Sequence, residues 1–209
     1  MDIKNFQIYL VKTFERKINN RQDFVIDMDL VKIKSKLSTT LHPDIEHDGK
    51  NKLASILVVI YGDPPEVLMT EKPKDLKVHA GEISFPGGKP EESDNDLLDT
   101  ALRETEEEIG LRVLRDQVIG QLEPVTTLNS GFKIIPFVAV IDNIPSLEAN
   151  AEVEKIFKIQ FEPFLKTMAD DPDPNHQSIL EMFIFSFDDK IVWGASARVL
   201  NQIVKRLQI

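Results

Sequence analysis

Acidic side chains are concentrated between residues 103 and 110, where the sequence reads RETEEEIG. Glu104 and Glu108 are spaced to lie one turn apart on a helix, and Glu107 lies beside them. Two like charges at this spacing destabilise a helix unless a positive group lies between them. Carboxylate oxygens are the ligands that Mg²⁺ prefers. The spacing therefore predicts a divalent-cation site, and the alternative is a solvated charged face with an ordinary Arg103–Glu107 ion pair.

The apolar periodicity of the same segment indicates which of its glutamates face a core. The pattern over residues 94–109 predicts a helix that is stopped by a glycine. On a helical wheel, Glu108 falls between Leu97 and Ala101 inside the apolar face, whereas Glu106 lies outside it. A purely solvated acidic face would keep every glutamate outside the apolar face, so the position of Glu108 favours the cation site. The other predicted members of the buried face are Leu98, Leu102, Thr105 and Ile109.

The residues before this helix predict how its start is held. Gly87 and Gly88 follow a short predicted strand, and their backbone amides can fold closely around the helix entrance. Residues 93–95, Ser-Asp-Asn, are all suited to the N-cap position.

Strands and helices around this segment predict a mixed α/β layer architecture. The predicted strands cover 53–62, 67–72, the run GEISFPGG, 133–142 (with an internal proline) and 179–189, and the chain closes with a helix over 193–209. A polar loop is predicted around 148–157. The apolar residues Phe6, Leu10, Phe14 and Ile18 predict an amphipathic helix over 3–18. We therefore expect residues 1–51 to form a helical extension and a loop that pack on a main domain of residues 52–209.

Composition excludes several classes of protein. The formal net charge of −10 makes a nucleic-acid backbone an improbable partner, because such proteins usually carry a basic face. No apolar run approaches the roughly 20 residues that span a bilayer, so no membrane partner is expected. The chain has no cysteine, which rules out disulfides and thiolate chemistry and fits a cytoplasmic location.

Taken as one string, residues 87–111, GGKPEESDNDLLDTALRETEEEIGL, resemble the Nudix box, G-x5-E-x7-R-E-U-x-E-E-x-G-U, where U is aliphatic. Thr105 occupies one aliphatic position of that box. The family's first glutamate falls at Asp94, and eight residues instead of seven separate it from Arg103. This longer spacing is expected of the coenzyme A pyrophosphatase branch of the family. The matching positions in the second half are Arg103, Glu104, Glu107, Glu108, Gly110 and Leu111.

Residues 68–88, LMTEKPKDLKVHAGEISFPGG, are similar to a second signature of that branch, roughly L-L-T-x-R-[SA]-x3-R-x3-G-x3-F-P-G-G. Its two arginines are replaced by Lys72 and Lys77, and Pro73 replaces its small residue. Lysine keeps the charge but loses the bidentate geometry of arginine. We expect Lys72 and Lys77 to contact substrate phosphates, including the 3′-phosphate of coenzyme A, whereas a solvated basic loop is the alternative. His79 could touch a phosphate, or it could be a surface or packing residue.

The resemblance covers about residues 52–209 and implies a fold, a reaction and roles for residues. The fold is the Nudix fold, an α/β/α sandwich with a mixed β-sheet between helices. The reaction is metal-dependent hydrolysis of coenzyme A, or of an acylated or oxidised form, into 3′,5′-ADP and a phosphopantetheine. Mg²⁺ or Mn²⁺ would be held by Glu104, Glu107 and Glu108, with Arg103 orienting the glutamates. The general base is either Glu152, at the family's loop glutamate, or one of the box glutamates. Gly87 and Gly88 are expected to line the substrate.

Other functions stay open. The nearest alternative is a Nudix enzyme that acts on ADP-ribose or NADH, because the box determines the chemistry and not the specificity. A catalytically silent Nudix fold could serve as a ligand-binding module, although such a module need not keep Glu104, Glu107 and Glu108. A plain structural domain leaves the position of Glu108 unexplained. The expected partner is a small nucleotide, and a homodimer is compatible with the sequence.

Overall fold

The computed structural model describes residues 28–44, 49–76, 80–128, 130–172 and 182–209. Within these ranges the chain forms four helices, one short 3-10 turn and eleven strands, several of them only two residues long. The predicted helix over residues 3–18 lies outside the described residues, and so do Lys77 and His79.

A mixed sheet of eight strands forms the centre of the described structure. Its main path runs β3-β2-β1-β7-β5, and β4, β6 and β8 pair with β1, β7 and β2, respectively. The pairing of β1 with β7 is parallel, and the other pairings are antiparallel. The strands are β1 (Lys52–Tyr61), β2 (Glu66–Glu71), β3 (Ile83–Ser84), β4 (Gly87–Gly88), β5 (Val118–Gln121), β6 (Val125–Thr126), β7 (Phe132–Ile141) and β8 (Lys155–Gln160).

Helices cover both faces of this sheet, because alternate residues of its central strands are apolar on both sides. On one face Leu57 and Val59 of β1 pack with helix α2 (Leu97–Ile109). On the other face Val58 and Ile60 pack in a core with helices α1 (Leu30–Leu37), α3 (Phe161–Leu165) and α4 (Gly194–Leu207). The predicted α/β/α sandwich is therefore confirmed.

A second, three-stranded sheet lies beside the α4 face, with the order β11-β10-β9. Its strands are β9 (Ala169–Asp170), β10 (Phe183–Phe187) and β11 (Lys190–Val192). Lys190 of β11 donates to Glu71 at the end of β2, at 2.8 Å. This ion pair joins the small sheet to the central one.

Helix α1 was not predicted from the sequence. Its N-cap is Asp29, whose side chain accepts from the N–H of Lys32, and the helix buries Ile33 and Leu37 completely. The N–H of Thr39 donates to the carbonyl of Ile119, so the chain after α1 is attached to β5. The described residues before β1 thus complete the core on the α4 face. The predicted polar loop around 148–157 is also shorter than expected, because β8 begins at residue 155.

The start of α2 corrects a second prediction. The N-cap is Asp96, whose side chain accepts from the N–H of Asp99, and the helix begins at Leu97 instead of within residues 93–95. Asp94 instead faces a guanidinium group, as described below. The predicted end of the helix is confirmed, because Gly110 adopts the left-handed conformation there, with φ at 68°.

Candidate active site

The glycine pair of β4 allows α2 and β1 to approach each other closely. A Cβ atom on Gly88 would lie 2.3 Å from Oε1 of Glu104, and one on Gly87 would lie 2.2 Å from the carbonyl oxygen of Ser55. The N–H of Gly87 donates to Oε2 of Glu108 at 3.3 Å. Both carboxylates therefore lie directly against the backbone of β4, where no side chain intervenes.

The structure confirms the side of the helix predicted for Glu108. Its side chain is 5% exposed, whereas Glu106 and Glu107 are exposed. Burial raises the pKa of Glu108 to about 7, although the charge of Lys72 and the hydrogen bond from Gly87 act to lower it. A buried carboxylate of this kind is readily neutralised by a proton or by a cation.

Glu104 is the second carboxylate of this group. Burial raises its pKa, the charge of Arg103 opposes the shift, and the charges of Glu107 and Glu152 add to it. The charge of Glu104 also raises the pKa of Glu108, so the two carboxylates act on each other as like charges. The helix therefore presents two neighbouring, partly compensated acids.

Arg103 holds several of these acids in place. Its Nε and Nη2 each donate to Asp94 at 3.0 Å, which makes a bidentate pair, and its Nη1 donates to Glu104 at 3.1 Å and Glu107 at 3.0 Å. Nη2 also donates to the carbonyl of Lys89. The hydrogen bonds from Arg103 lower the pKa of Asp94 to about 2. The alternative of an ordinary Arg103–Glu107 pair is thus present as one bond of a larger network.

Glu152 lies in the segment between β7 and β8, which is attached to the end of α2. The N–H of Asn150 donates to the carbonyl of Glu108 at 3.0 Å, and the side chain of Asn150 accepts from the N–H of Glu152. Glu152 is exposed, and its charge raises the pKa of both Glu104 and Glu108. The structure therefore brings the predicted loop glutamate into electrostatic range of the helix glutamates.

Lys72 is the basic residue that the structure brings to this group. It follows β2 directly, and its backbone N–H and carbonyl pair with Glu82 and Gly81. Its charge is close enough to Glu108 to lower the pKa of that carboxyl. A cationic side chain beside acidic groups can bind a phosphate next to the cation that neutralises those acids.

The donor set suits a hard divalent cation, although it is not a complete ligand shell. In the described part of the chain, no three acidic, histidine or cysteine side chains are already arranged to hold a metal ion. Mg²⁺ commonly takes only one or two carboxylates and fills its other positions with water and substrate phosphate oxygens. Two neighbouring carboxylates of raised pKa, held against a backbone without side chains, fit that requirement.

Most of the predicted site residues come together in one place. Arg103, Glu104, Glu107 and Glu108 share α2, Gly87 and Gly88 lie against them, and Lys72 and Glu152 are within electrostatic range. The sequence placed Asp94 at the position of the family's first glutamate but did not predict that it pairs with Arg103. Asp94 lies nine residues before Arg103 and precedes the first residue of α2, so no helical spacing indicates this pair.

This fold and this arrangement of acids agree with comparisons to known proteins. The model of the NUDIX domain matches residues 51–183, and the chain belongs to the Nudix hydrolase family. It is 30% identical over 167 residues to the "Uncharacterized Nudix hydrolase NudL" of Photorhabdus laumondii subsp. laumondii, which covers 78% of this chain and 88% of that protein. A NudL protein of Yersinia pestis, described in the same words, is 29% identical over 163 residues, covering 76% and 81%.

Solved structures show the same fold. A MutT/nudix family protein from Enterococcus faecalis superposes with a TM-score of 0.56 at 14% sequence identity. The match covers 81% of this chain and 65% of the length of that protein. The predicted Nudix fold is therefore confirmed. Among the described helices, none has both the length and the apolar character needed to cross a membrane.

Proposed function

We propose that this Nudix hydrolase cleaves the diphosphate linkage of coenzyme A, or of an acylated or oxidised derivative, with the help of Mg²⁺ or Mn²⁺. Water adds across the bridge: its oxygen bonds to one phosphorus, and the bridging oxygen leaves on the other phosphate. The products are 3′,5′-ADP and a phosphopantetheine. The observation that carries the proposal is the buried carboxylate of Glu108, placed beside Glu104 and within range of Lys72.

Glu104, Glu107 and Glu108 are the residues that would hold the cation. When bound, a divalent cation neutralises the diphosphate, orients it and makes the attacking water more acidic. Glu108 is fixed by the N–H of Gly87, and Glu104 is fixed by Arg103 and by its fit against Gly88. The oxygen atoms of two acids are thereby held in position before any substrate arrives, which limits reorganisation during the reaction.

The positive side chains have separate tasks. Arg103 is engaged by Asp94, Glu104 and Glu107, so it acts as a positioning residue for the acids and not as a phosphate ligand. Lys72 is near enough to Glu108 to lower the pKa of that carboxyl, and it is suited to bind an oxygen of the reacting diphosphate. Because a lysine cannot make the bidentate contact of an arginine, this grip is weaker than that of the family's usual residue.

The base that takes the proton of water is either Glu152 or a box glutamate. Glu152 is exposed, and its charge acts on both Glu104 and Glu108 of α2. A base must come within hydrogen-bond reach of the water, and catalytic distances often shorten only in the substrate complex. Glu152→Gln and Glu107→Gln separate the two options, since only the base variant should move the acidic limb of the kcat profile.

The substrate is supported by the resemblance of residues 68–88 and of the longer box spacing to the coenzyme A branch. A substrate panel tests it: coenzyme A, 3′-dephospho-coenzyme A, ADP-ribose and NADH, each with Mg²⁺ or Mn²⁺, with the products identified by mass. We expect coenzyme A to have the highest kcat/KM and to release 3′,5′-ADP. Preference for ADP-ribose or NADH would overturn the coenzyme A assignment. Tight nucleotide binding without turnover would point to a silent binding module.

A further inference from the structure

An open groove of about 600 Å³ lies beside the candidate active site and has a basic lining. Its lysines come from two parts of the chain: Lys50 and Lys52 at the start of β1, and Lys89 directly after β4. Asn51 and Pro90 also line it, and no acidic residue does so among the described residues. In a chain with a net charge of −10, such a concentration of lysines calls for an explanation. We refer to Lys50, Lys52 and Lys89 with their surroundings as the lysine groove.

One aromatic ring holds two of these lysines together. Phe132 begins β7 and pairs in register with Lys52 of the parallel strand β1. Nζ of Lys52 lies 5.8 Å from the centroid of the Phe132 ring, and Nζ of Lys89 lies 5.5 Å from it. Cation–π attraction thus places two like charges around one ring. The two ammonium groups repel each other, and an anion between them would remove that repulsion.

The lysines of this ring pair have no carboxylate partner. In the parts of the chain that the structure describes, neither Lys52 nor Lys89 forms an ion pair with an acid. Glu91, which is near in sequence, has its contact with Arg103 at 3.9 Å. Both lysine side chains are exposed, so their ammonium groups are accessible to a ligand.

The lysine groove begins where the carboxylate group ends. Lys89 follows Gly88, the residue that lies against Glu104, and its carbonyl accepts from Nη2 of Arg103 at 3.0 Å. Consecutive Cα atoms are about 3.8 Å apart. The Lys89 side chain therefore leaves the backbone one residue after the glycine that lies against Glu104. In coenzyme A the 3′-phosphate and the 5′-diphosphate are carried by the same ribose. A substrate whose diphosphate lies at the acids can therefore extend a second phosphate toward the lysines.

We propose that the lysine groove binds a phosphomonoester on the ribose of the substrate, which for coenzyme A is the 3′-phosphate. The inference rests on the proposed function for its substrate, and it assigns Lys72 to the diphosphate alone. A phosphomonoester carries a charge of about −1.5 to −2 at neutral pH and three acceptor oxygens. Two ammonium groups around one ring supply matching charge and donors, whereas a sugar hydroxyl at the same place would gain little.

The kinetic test compares coenzyme A with 3′-dephospho-coenzyme A in the double variant Lys52→Ala/Lys89→Ala. We expect the ratio of the KM for coenzyme A to the KM for its dephospho form to rise about tenfold or more, the size of effect typical of charged hydrogen bonds. Lys158→Ala, which removes an exposed lysine from β8, is the matched control and should leave this ratio unchanged. Lys52→Arg/Lys89→Arg keeps the charges and should restore most of the selectivity. An unchanged ratio in the double alanine variant would overturn the inference.

A binding test separates this inference from the proposed function, because it needs no turnover. Calorimetric titration with adenosine 3′,5′-bisphosphate and with AMP should give a lower Kd for the bisphosphate in the wild-type protein. The double alanine variant should bind the two probes with nearly equal Kd. Selective binding without hydrolysis of any coenzyme A compound would refute the proposed function and retain the groove. Hydrolysis of coenzyme A with equal affinity for both probes would retain the function and refute the groove.

Discussion

Helix α2 carries acids at both ends, and the two groups differ in what balances their charge. At its start, Asp94 pairs with Arg103 and Asp96 pairs with Arg115 at 2.6 Å. Burial acts to raise the pKa of Asp96, but the hydrogen bonds from Arg115 and from the N–H groups of Asp99 and Leu98, together with the charge of Arg115, outweigh it and the pKa is lowered. Toward the end of the helix, Glu104 is half-buried and Glu108 is buried, and the pKa values of both are raised. Asp94 and Asp96 each have a guanidinium partner, whereas Glu104 shares Arg103 with Asp94 and Glu107, and Glu108 forms no ion pair with an arginine in the described part of the chain. The second group of acids is therefore less fully neutralised by the chain itself.

Removing divalent cations is expected to have the largest effect on activity, and it tests whether the two groups of acids differ. Excess chelator should abolish hydrolysis, and added Mg²⁺ or Mn²⁺ should restore it, because the second group of acids needs an external positive charge. The rate of hydrolysis and the melting temperature are measured with chelator and with each metal. We expect the melting temperature to rise with metal, since a ligand that binds only the folded state stabilises it. Undiminished turnover in chelator would mean that the two acidic groups do not differ as proposed.

Substitution of the buried glutamate has the next largest effect. Glu108→Gln removes charge with little change of volume, so the protein should fold and kcat should fall roughly 10²-fold or more, the scale lost with a key electrostatic group. Glu106→Gln changes an exposed glutamate of the same helix and should leave kcat close to the wild-type value. Steady-state kinetics and thermal unfolding of both variants provide the measurement. Equal losses at the two positions would show that burial does not select the functional acid.

Substitutions of Gly87 and Gly88 are expected to separate the positioning of Glu104 from the stability of the fold. In Gly88→Ala the new Cβ would meet only the end of the Glu104 side chain, which can rotate away, so we expect about tenfold lower kcat and little loss of stability. In Gly87→Ala the new Cβ would meet the backbone of Ser55 and Ile56, and the residue has φ at 150°, so we expect a clear fall in the melting temperature. Kinetics and thermal unfolding are compared for the pair. Similar stability in both variants would contradict the close approach of β4 and β1.

The smallest effect on kcat is expected for the acids at the helix start, where the change appears in stability. Lowering the pKa of Asp94 from 3.8 to about 2 contributes at most about 2 kcal/mol to the free energy of unfolding at neutral pH, because solvent screens part of the interaction with Arg103. Because the folded-state pKa is the lower one, this contribution is present above about pH 4 and is lost as the pH falls toward 2. Asp94→Asn should lose it at pH 7, and the difference from wild type should shrink near pH 3.

Urea denaturation of wild type, Asp94→Asn and Glu92→Gln at both pH values measures this contribution. Glu92 is exposed and close to Asp94 in sequence, so its variant controls for the loss of one surface charge. Stability of Asp94→Asn equal to that of Glu92→Gln at pH 7 would show that the pair with Arg103 contributes nothing.

The sequence predicted the parts of the fold that depend on local patterns. The periodicity of β1, β7, α2 and α4 was sufficient, because each strand is buried on both sides and each helix has one apolar face. The same reasoning identified Glu108 as a buried acid. It did not identify α1, where only Ile33 and Leu37 are buried and lysines occupy much of the remaining sequence. Burial of that helix depends on its packing against α4, near the other end of the chain.

The site contains two features that no local pattern could predict. Several neighbouring residues could cap α2, and the pairing of Asp94 with Arg103 leaves Asp96 as the cap. The lysine groove depends on the parallel register of Lys52 with Phe132, which are 80 positions apart, and on the turn that brings Lys89 to the same ring. Both features are tertiary contacts, and a single sequence carries no direct record of them.

The segment that carries Glu152 is held by its backbone at three points. The N–H groups of Glu148 and Asn150 donate to the last carbonyls of α2, and the N–H of Glu154 donates to the carbonyl of Glu71. The same residue, Glu108, thus supplies both a buried acid and an anchor for the segment that carries the exposed one. The length of this segment, more than its composition, then sets the separation of the two acids. Substitutions of many side chains in this segment should therefore be tolerated. A single inserted residue between the anchors should instead change the distance between Glu152 and the glutamates of α2.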